Sequence, residues 1–432
     1  MNTCDVAVVG AGSVGAAAAL AFARGGKRVV LVDPRPAGGD QAAVRVVPAA
    51  EGSARSFDAA AGCDDWDARV FALSPASVRL LLSLGVWERL DGARVAPVHD
   101  MRLFHDQDGG KVQESLRLDA FQGCVQLLAH IVEGRHLQQA LDATVAEASW
   151  SLGLRRIRGQ VSRLVLPARA NDHTLAQLML DGGQTWEAGL VVAADGARSS
   201  LREMAGLSAS VFDYGQTAVV ANFNSSLPTR DAAWQWFDAE MGVMALLPLP
   251  ALGRPEGQGR VSLVWSAPTE WAQALRAMPV EGLAEQVAWQ ARGALGNLQC
   301  ITPAASFPLR SVSCARVIAP AFVMIGDAAH VVHPMAGQGM NLGFGDVQAL
   351  GDVLLGQGVL WRGGQPGWLA LRRYERARRE PVAGMQALMT GLHRAFGPLP
   401  LPLPLALLRN LGWQAVAASG WARRQLIAHA IR

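Results

Sequence analysis

Gly326-Asp327-Ala328-Ala329-His330, followed by His333-Pro334-Met335-Ala336-Gly337-Gln338-Gly339-Met340-Asn341-Leu342-Gly343, decides the fold, because this segment makes sense only as half of a pair. The apolar run Val317 to Ile325 ends in Gly326-Asp327, and a glycine-rich turn then enters another helical pattern. An Asp at such a strand end can accept a hydrogen bond from a sugar-chain hydroxyl. Gly337, Gly339 and the N–H groups about Met340 and Asn341 can meet the edge of a flat, electron-accepting ring.

The other half opens the chain. Asp5 to Val9 read as a buried strand, Gly10-Ala11-Gly12-Ser13-Val14-Gly15 as a turn, Ala16 to Arg24 as an alanine-rich helix, and Arg28 to Val32 as a second strand ending in Asp33. This is a βαβ dinucleotide fingerprint: glycines admit a pyrophosphate to the main chain, the helix N-terminus offers it free N–H groups, and the acid accepts from a ribose hydroxyl. Asp33 follows the last glycine by 33 − 15 = 18 positions, close to the spacing of about 20 that such a unit takes. The fingerprint alone does not separate NAD from FAD. A ligand gripped near both ends of a chain this long has to be a long one.

These residues carry a family resemblance. The chain resembles the group A FAD-dependent aromatic hydroxylases, and within them the subgroup that hydroxylates the ring during ubiquinone biosynthesis. Five blocks support it: the fingerprint; Asp67-Ala68-Arg69-Val70-Phe71-Ala72-Leu73-Ser74; Ala194-Asp195-Gly196-Ala197-Arg198-Ser199-Ser200-Leu201-Arg202; Ala245-Leu246-Leu247-Pro248-Leu249 with Val264-Trp265-Ser266; and the segment from Gly326 to Gly343. The first, third and fifth are shared across the superfamily. The second, the fourth and the wording of the fifth favour the ubiquinone subgroup.

The resemblance implies an α/β flavoprotein of the p-hydroxybenzoate hydroxylase type, in which a Rossmann-like FAD domain is interrupted by a sheet-rich substrate domain and followed by a helical tail. The expected divisions are 1–205 (first part of the FAD domain, its 101–118 hairpin joining the substrate sheet), 206–300 (substrate domain), 301–385 (second part of the FAD domain) and 386–432 (tail). By resemblance, NAD(P)H docks transiently, reduced flavin reacts with O2 to give a C4a-hydroperoxide, and its distal oxygen attacks a prenylated phenol. Residues and resemblance together nominate Gly10, Gly12, Ser13, Gly15, Asp33, Arg69, Arg135, Asp195, Asp327, Pro334, Gly337, Gly339, Met340 and Asn341 for FAD contact. No catalytic base is named. Related folds that epoxidise, halogenate or reduce isoprenoids, and a non-catalytic FAD-bearing scaffold for a quinone-synthesis complex, stay open on the residues alone.

Composition bounds the rest. At 432 residues, half of them hydrophobic and 17% charged, the chain is core-rich and exceeds what one hydrophobic core usually serves. A net charge of +3, without a basic patch interleaved with aromatics, argues against nucleic acid. The five cysteines show no C-x-x-C spacing, which argues against a disulfide framework or zinc and suits a reducing cytoplasm. No signal peptide or membrane-spanning run is read. His330 and His333 lack a third partner for a metal, so local hydrogen bonding is the expectation.

Further expectations are a surface insertion over 36–66, helices over Ser77–Leu90 and Val125–Leu141, and a return to the nucleotide fold over Thr302–Leu309. Arg372 to Glu380 reads as a solvated helix with i, i+4 pairs. Trp234, Trp236, Phe237, Met241 and Met244 form a stripe suited to a pocket wall or plain core. Gly345-Asp346-Val347 departs from a charged pair common in the family, which weakens the case for salt bridging there. The Leu/Pro alternation at 398–404 forbids a helix. The segment beyond it, Leu405 to Ile431, suits either a helix packed on its own domain or contact with the inner face of a membrane.

Overall fold

The computed structural model describes residues 2–36, 66–107, 111–170, 172, 174–333, 337–356, 361–362, 364–396 and 419. Most of the expected insertion and the whole Leu/Pro segment lie outside these residues.

The chain opens with β1 (Asn2–Val9), α1 (Ser13–Arg24) and β2 (Val29–Asp33). Val6 and Val8 enter one core cluster while Ala7 and Val9 enter another. The period of two along a strand sends them to opposite faces, and a sheet covered on both faces reads as continuously apolar. Ala16 to Ala19 are all buried, so α1 lies flat on the sheet where larger side chains would hold it away. Next come β3 (Val70–Leu73), α2 (Pro75–Ser83, capped by Ser74), β4 (Ala96–Val98), the hairpin β5 (Asp100–Gln107) and β6 (Lys111–Asp119), and β7 (Ala129–Glu133). Then α3 (Gly134–Ser151) leads to β8 (Leu154–Arg158), β9 (Val161–Val165), β10 (Ala176–Leu180) and β11 (Thr185–Ala193).

After α4 (Ser200–Met204) the chain forms β12 (Ala209–Ser225), β13 (Ala232–Asp238), β14 (Gly242–Leu249) and β15 (Gly259–Pro268). Helices α5 (Thr269–Ala277) and α6 (Val280–Gln290) follow, then β16 (Leu298–Cys300), β17 (Ala305–Cys314), β18 (Ile318–Ala319), β19 (Phe322–Met324) and β20 (His330–Val331). The last long elements are α7 (Gly339–Leu354) and α8 (Trp368–Phe396).

Two large sheets result. The first runs β18-β19-β11-β1-β2-β8, with β10 and β9 joined beside β11. Its β1, β2, β8, β11 and β19 are parallel, as a dinucleotide fold requires. The second runs β20-β17-β12-β15-β14-β13-β5-β6, with β16 beside β12. Hairpin β5–β6 enters it by pairing β5 parallel to β13. Helices α5 and α6 cover one face of this sheet, packing on Trp236, Met244 and Trp265.

Five expectations change, the first being the helix over Ser77–Leu90, which ends at Ser83. The strand at 305–314 does not return to the nucleotide sheet but pairs with β12, and re-entry waits until Ile318. Val125–Leu141 is strand and then helix, since Ala129–Glu133 pairs with β3 and β4 before Gly134 starts the helix. No break falls at 385, because α8 continues from Trp368 to Phe396 through Pro381. The run 372–380 is not merely solvated: Tyr374 is buried and donates to the Met324 carbonyl at 3.2 Å, while Glu375 is buried and accepts from the Val317 N–H at 3.2 Å. No helix among the described residues is long and apolar enough to cross a membrane.

Candidate functional site

One cavity of about 540 Å³ lies between the two sheets. At one end it is walled by Gly12, Ser13 and Gly15, at the start of α1, with Arg35 beside them; along its middle by Arg69–Ala72, Ala194, Asp327 and Gly337–Asn341. At the other end its wall is Met101, Leu118, Leu128, Val220, Ala233, Gln235, Ala245, Leu247 and Val264. The distant halves of the chain therefore meet across one space.

The three glycines of the first turn do different work. A Cβ on Gly12 would meet nothing within 4 Å, so this position is open space at the uncapped N-terminus of α1. A Cβ on Gly15 would stand 1.9 Å from the Gly10 carbonyl oxygen, and one on Gly10, at φ +103°, would stand 2.3 Å from that of Ala194. Gly10 and Gly15 thus let strand, turn and helix close on each other, and Gly12 leaves the cradle empty. The Ser13 hydroxyl donates to Gln138 Oε1 at 3.1 Å, and Gln138 Nε2 donates to the Ala11 carbonyl at 2.9 Å, fixing the turn to α3.

Asp33 stands behind the wall. Its Oδ2 accepts from the Ala11 N–H at 2.6 Å, and its two oxygens take Arg35 Nε and Nη2, both at 2.9 Å. Burial works against its charge, but the Arg35 fork and the two backbone donors outweigh it and hold its carboxyl below the usual range. A ribose hydroxyl reaching Asp33 has to compete with Arg35, and it is Arg35 that borders the cavity.

Asp327 borders the cavity directly. Its exposed area faces that space and not bulk water, so burial pushes its carboxyl up, with Arg69 and His330 opposing. Arg69 lines the same stretch, its guanidinium 5.0 Å from the Phe71 ring centre. Asp67 orients this region: Oδ1 accepts from the Arg69 N–H at 3.0 Å and Oδ2 from the Arg135 N–H at 2.8 Å. Arg135 therefore meets Asp67 through its backbone, at the head of α3, and is not among the cavity walls. Asp195 is also outside them, accepting from the Leu201 N–H at 3.2 Å. In the same block Arg202 is buried and donates to the Ala328 carbonyl at 3.0 Å, tying the segment to that of Asp327.

In the second turn Gly337 has φ +62°, with Ala72 Cβ 3.3 Å from where a Cβ would stand. The Asn341 side chain is engaged on both ends. Its Oδ1 accepts from Ser74 N–H at 2.9 Å and Ser77 Oγ at 2.7 Å, and its Nδ2 donates to the Ala72 carbonyl at 2.9 Å and Gln338 Oε1 at 3.1 Å. Gly339, Met340 and Asn341 bring the first turn of α7 to the cavity, where helix N–H groups lack intrahelical acceptors. Pro334 lies outside the described residues.

The expectation of weak salt bridging about Asp346 is corrected. Asp346 is fully buried and takes Arg378 Nε at 2.6 Å, His330 Nε2 at 2.7 Å and the Gly326 N–H at 2.8 Å. Burial raises its carboxyl, but His330, Arg378 and Gly326 prevail and hold it below the usual range. His333 Nε2 lies 3.0 Å from Gln216 Oε1, so both histidines have protein partners. Of the aromatic stripe, Trp234, Trp236 and Met244 pack together on the face away from the cavity, and Trp234 also borders it.

Residues 67–387 match the FAD binding domain family, and residues 5–79 match the family described as FAD dependent oxidoreductase. The chain is 33% identical to the 3-demethoxyubiquinol 3-hydroxylase of Escherichia coli, over 99% of this chain and 98% of that one. The chain belongs to the FAD-dependent ring hydroxylases of ubiquinone biosynthesis. It is also 34% identical to ubiquinone hydroxylase UbiL of Rhodospirillum rubrum, over 100% of this chain and 90% of that one. In fold it matches the p-nitrophenol 4-monooxygenase PnpA of Pseudomonas putida, with a TM-score of 0.69 at 16% identity, covering 100% and 99% of the two chains. It matches PqsL of P. aeruginosa in complex with 2-aminobenzoylacetate with the same score at 20% identity, covering 95% and 99%. Its cofactor is FAD, and the open cradle at Gly12, the uncapped helix and the length of the cavity fit a dinucleotide.

Sequence reasoning did not single out Arg35, Gln235 or Gln338, and it quoted Asp67 without giving it a role. A basic residue two positions after the strand-end acid is a readable signal for Arg35. The others depend on which elements meet in space.

Proposed function

We propose that the chain hydroxylates the ring of a prenylated phenol, with NAD(P)H as transient reductant and O2 as oxidant. One observation carries this reading: a single cavity begins at the open cradle of Gly12 and ends on an apolar sheet. The cradle suits a pyrophosphate, and the floor suits a ring bearing a hydrocarbon chain. FAD, when bound, supplies the redox and oxygen chemistry.

The chain's own residues bind, orient and exclude water. The N–H groups opening α1 would meet the pyrophosphate, with Ser13 held beside them by Gln138. Arg35 lies where it could bridge Asp33 and the sugar end. Asp327 would accept from a sugar-chain hydroxyl, Arg69 would offer donors to anionic oxygens, and the first turn of α7 would face the ring edge. The walls of Leu, Val and Ala keep water from the reacting ring. The substrate reaches the site from the inner face of a membrane or from a partner in a quinone-synthesis complex.

The purified protein should be yellow and release FAD on denaturation. Its NAD(P)H oxidation should rise with a prenylated phenol, and mass spectrometry should find the phenol one oxygen heavier. Equal kcat/KM for a simple hydroxybenzoate and its prenylated analogue would remove the quinone assignment.

A further inference from the structure

The segment from Trp66 to Arg69 brings Arg69 to the cavity, and most of its hydrogen bonds lead to one place. The Asp67 N–H donates to Glu133 Oε2 at 3.1 Å, and the Arg69 carbonyl accepts from the Gly134 N–H at 2.8 Å. Together with the Asp67 carboxylate on the Arg135 N–H, these bonds tie the segment to the junction of β7 and α3. The Asp67 carbonyl leads elsewhere. It accepts from Asn222 Nδ2 at 2.9 Å, and Asn222 belongs to β12 in the second sheet.

Asn222 is fully buried and lies two residues beyond Val220, so its side chain shares the face of β12 that floors the cavity. Its main chain is fixed: the N–H donates to Thr302 Oγ1 and the carbonyl accepts from the Ile301 N–H, both at 2.8 Å. Its amide is only half used. Among the described residues neither Asn222 Oδ1 nor the hydroxyl of Ser262, opposite it on β15, has a hydrogen-bond partner. Two polar atoms without partners are costly inside a sheet that Val or Ala would fill without penalty. Sheet stability therefore gives no reason for an amide at position 222, whereas the bond to the Asp67 carbonyl does. Arg69 shows the complementary pattern. Its backbone is pinned on both sides, while among the described residues its guanidinium takes no hydrogen bond or ion pair.

Resting on the proposed function, in which Arg69 offers donors to anionic oxygens of the cofactor, we propose that Asn222 is a positioning residue for Arg69. Acting through the Asp67 carbonyl, it fixes the distance between the segment of Arg69 and the sheet that floors the cavity. Without its donor the segment rocks about its ties to β7 and α3. Arg69 then spends less time within reach of the cofactor, and apparent FAD affinity falls with the competent fraction. Asn222 is itself not among the cavity walls.

The test titrates FAD into the apo-forms of the full-length wild type, Asn222→Ala, Arg69→Ala and the double variant, at low and at high salt. Asn222→Ala should weaken FAD binding by about fivefold, roughly the worth of one neutral hydrogen bond. The double variant should bind no more weakly than Arg69→Ala, because Asn222 acts only through that arginine. Both single variants should also flatten the loss of affinity with salt, since both withdraw one cation from an anionic ligand. A merely structural residue would leave that slope alone. If Asn222→Ala does not fold, Asn222→Val refills the strand without a donor. A folded variant with wild-type affinity, or with a loss that adds in full to that of Arg69→Ala, overturns the role of Asn222. Wild-type affinity and salt slope in Arg69→Ala instead overturn the reading of Arg69 on which the proposal rests.

Discussion

At the scale of single residues, the first turn separates binding from folding. Gly12→Glu puts a side chain into open space, so the fold should survive while the purified protein loses its yellow colour. Gly15→Ala drives a Cβ into the Gly10 carbonyl and should cost stability on the order of 3 kcal/mol. Flavin absorbance together with urea unfolding distinguishes the two, and a yellow Gly12→Glu protein would contradict the proposed cradle.

Asp327 adds a dependence on pH. Burial raises its carboxyl, so between the unfolded and folded values the folded apo-protein holds a proton that the unfolded chain has released. This group's contribution is greatest below the unfolded value of about 3.9, and stability falls as pH rises from there through the higher folded value. Asp327→Asn should remove that loss and make the apo-protein more stable at pH 7. FAD binding should meanwhile weaken by about 1.5 to 3 kcal/mol if the carboxylate accepts from a sugar hydroxyl. Titration of FAD into both proteins, with unchanged affinity as the contrary result, decides whether Asp327 is in the site.

At the scale of elements, two buried side chains hold α7. Asn341 joins its start to β3 and α2 through three hydrogen bonds. Asn341→Ala should cost about 1–3 kcal/mol by leaving Ser74 and Ser77 donors unsatisfied, and should lower FAD affinity because the turn before α7 loosens. Denaturant unfolding and FAD titration should move together, and a stability loss with intact affinity would make the staple purely structural.

Asp346 joins α7 to Arg378 of α8 and to His330. Its carboxyl is held low, so its stabilisation is present above the ordinary carboxylate value and is lost as pH falls through the depressed folded value. Asp346→Asn should cost about 3 kcal/mol at neutral pH, since half-buried Arg378 and buried His330 would face a neutral partner. Urea midpoints measured at pH 7 and near pH 3 should show the wild type losing its advantage at the lower pH.

At the scale of the whole molecule, Arg94 and Arg260 both lie 4.6 Å from the Trp66 ring centre. Arg260 belongs to the nine-stranded sheet, whereas Arg94 forms a two-oxygen pair with Glu133 at the end of β7. This contact fixes the segment carrying Arg69 against the second sheet. The apolar floor beyond it should reward hydrocarbon: each buried methylene of the substrate chain adds up to about 0.8 kcal/mol until the pocket ends. A phenol with so long a chain partitions into lipid, and removal of residues 398–432 should therefore lower reversible liposome binding in sedimentation assays. Equal sedimentation of the full and shortened chains would locate the lipid contact elsewhere.

The strands and the glycine turns at both ends were legible because they rest on local rules: period-two burial, the φ and space demands of glycine, and acids at strand ends. Those rules operate within about thirty residues of chain, and the sequence by itself determined them. Only the tertiary structure decided that 305–314 stays in the second sheet, because a strand's apolar pattern does not name its partner. Similarly, it turned Glu375 and Arg378 inward from a run whose charges pair well on a solvated helix, since α8 crosses the end of β19 and the middle of α7. The same reason hid the cavity floor: only register sets Val220, Ala233, Ala245 and Val264, from four separate strands, on one wall.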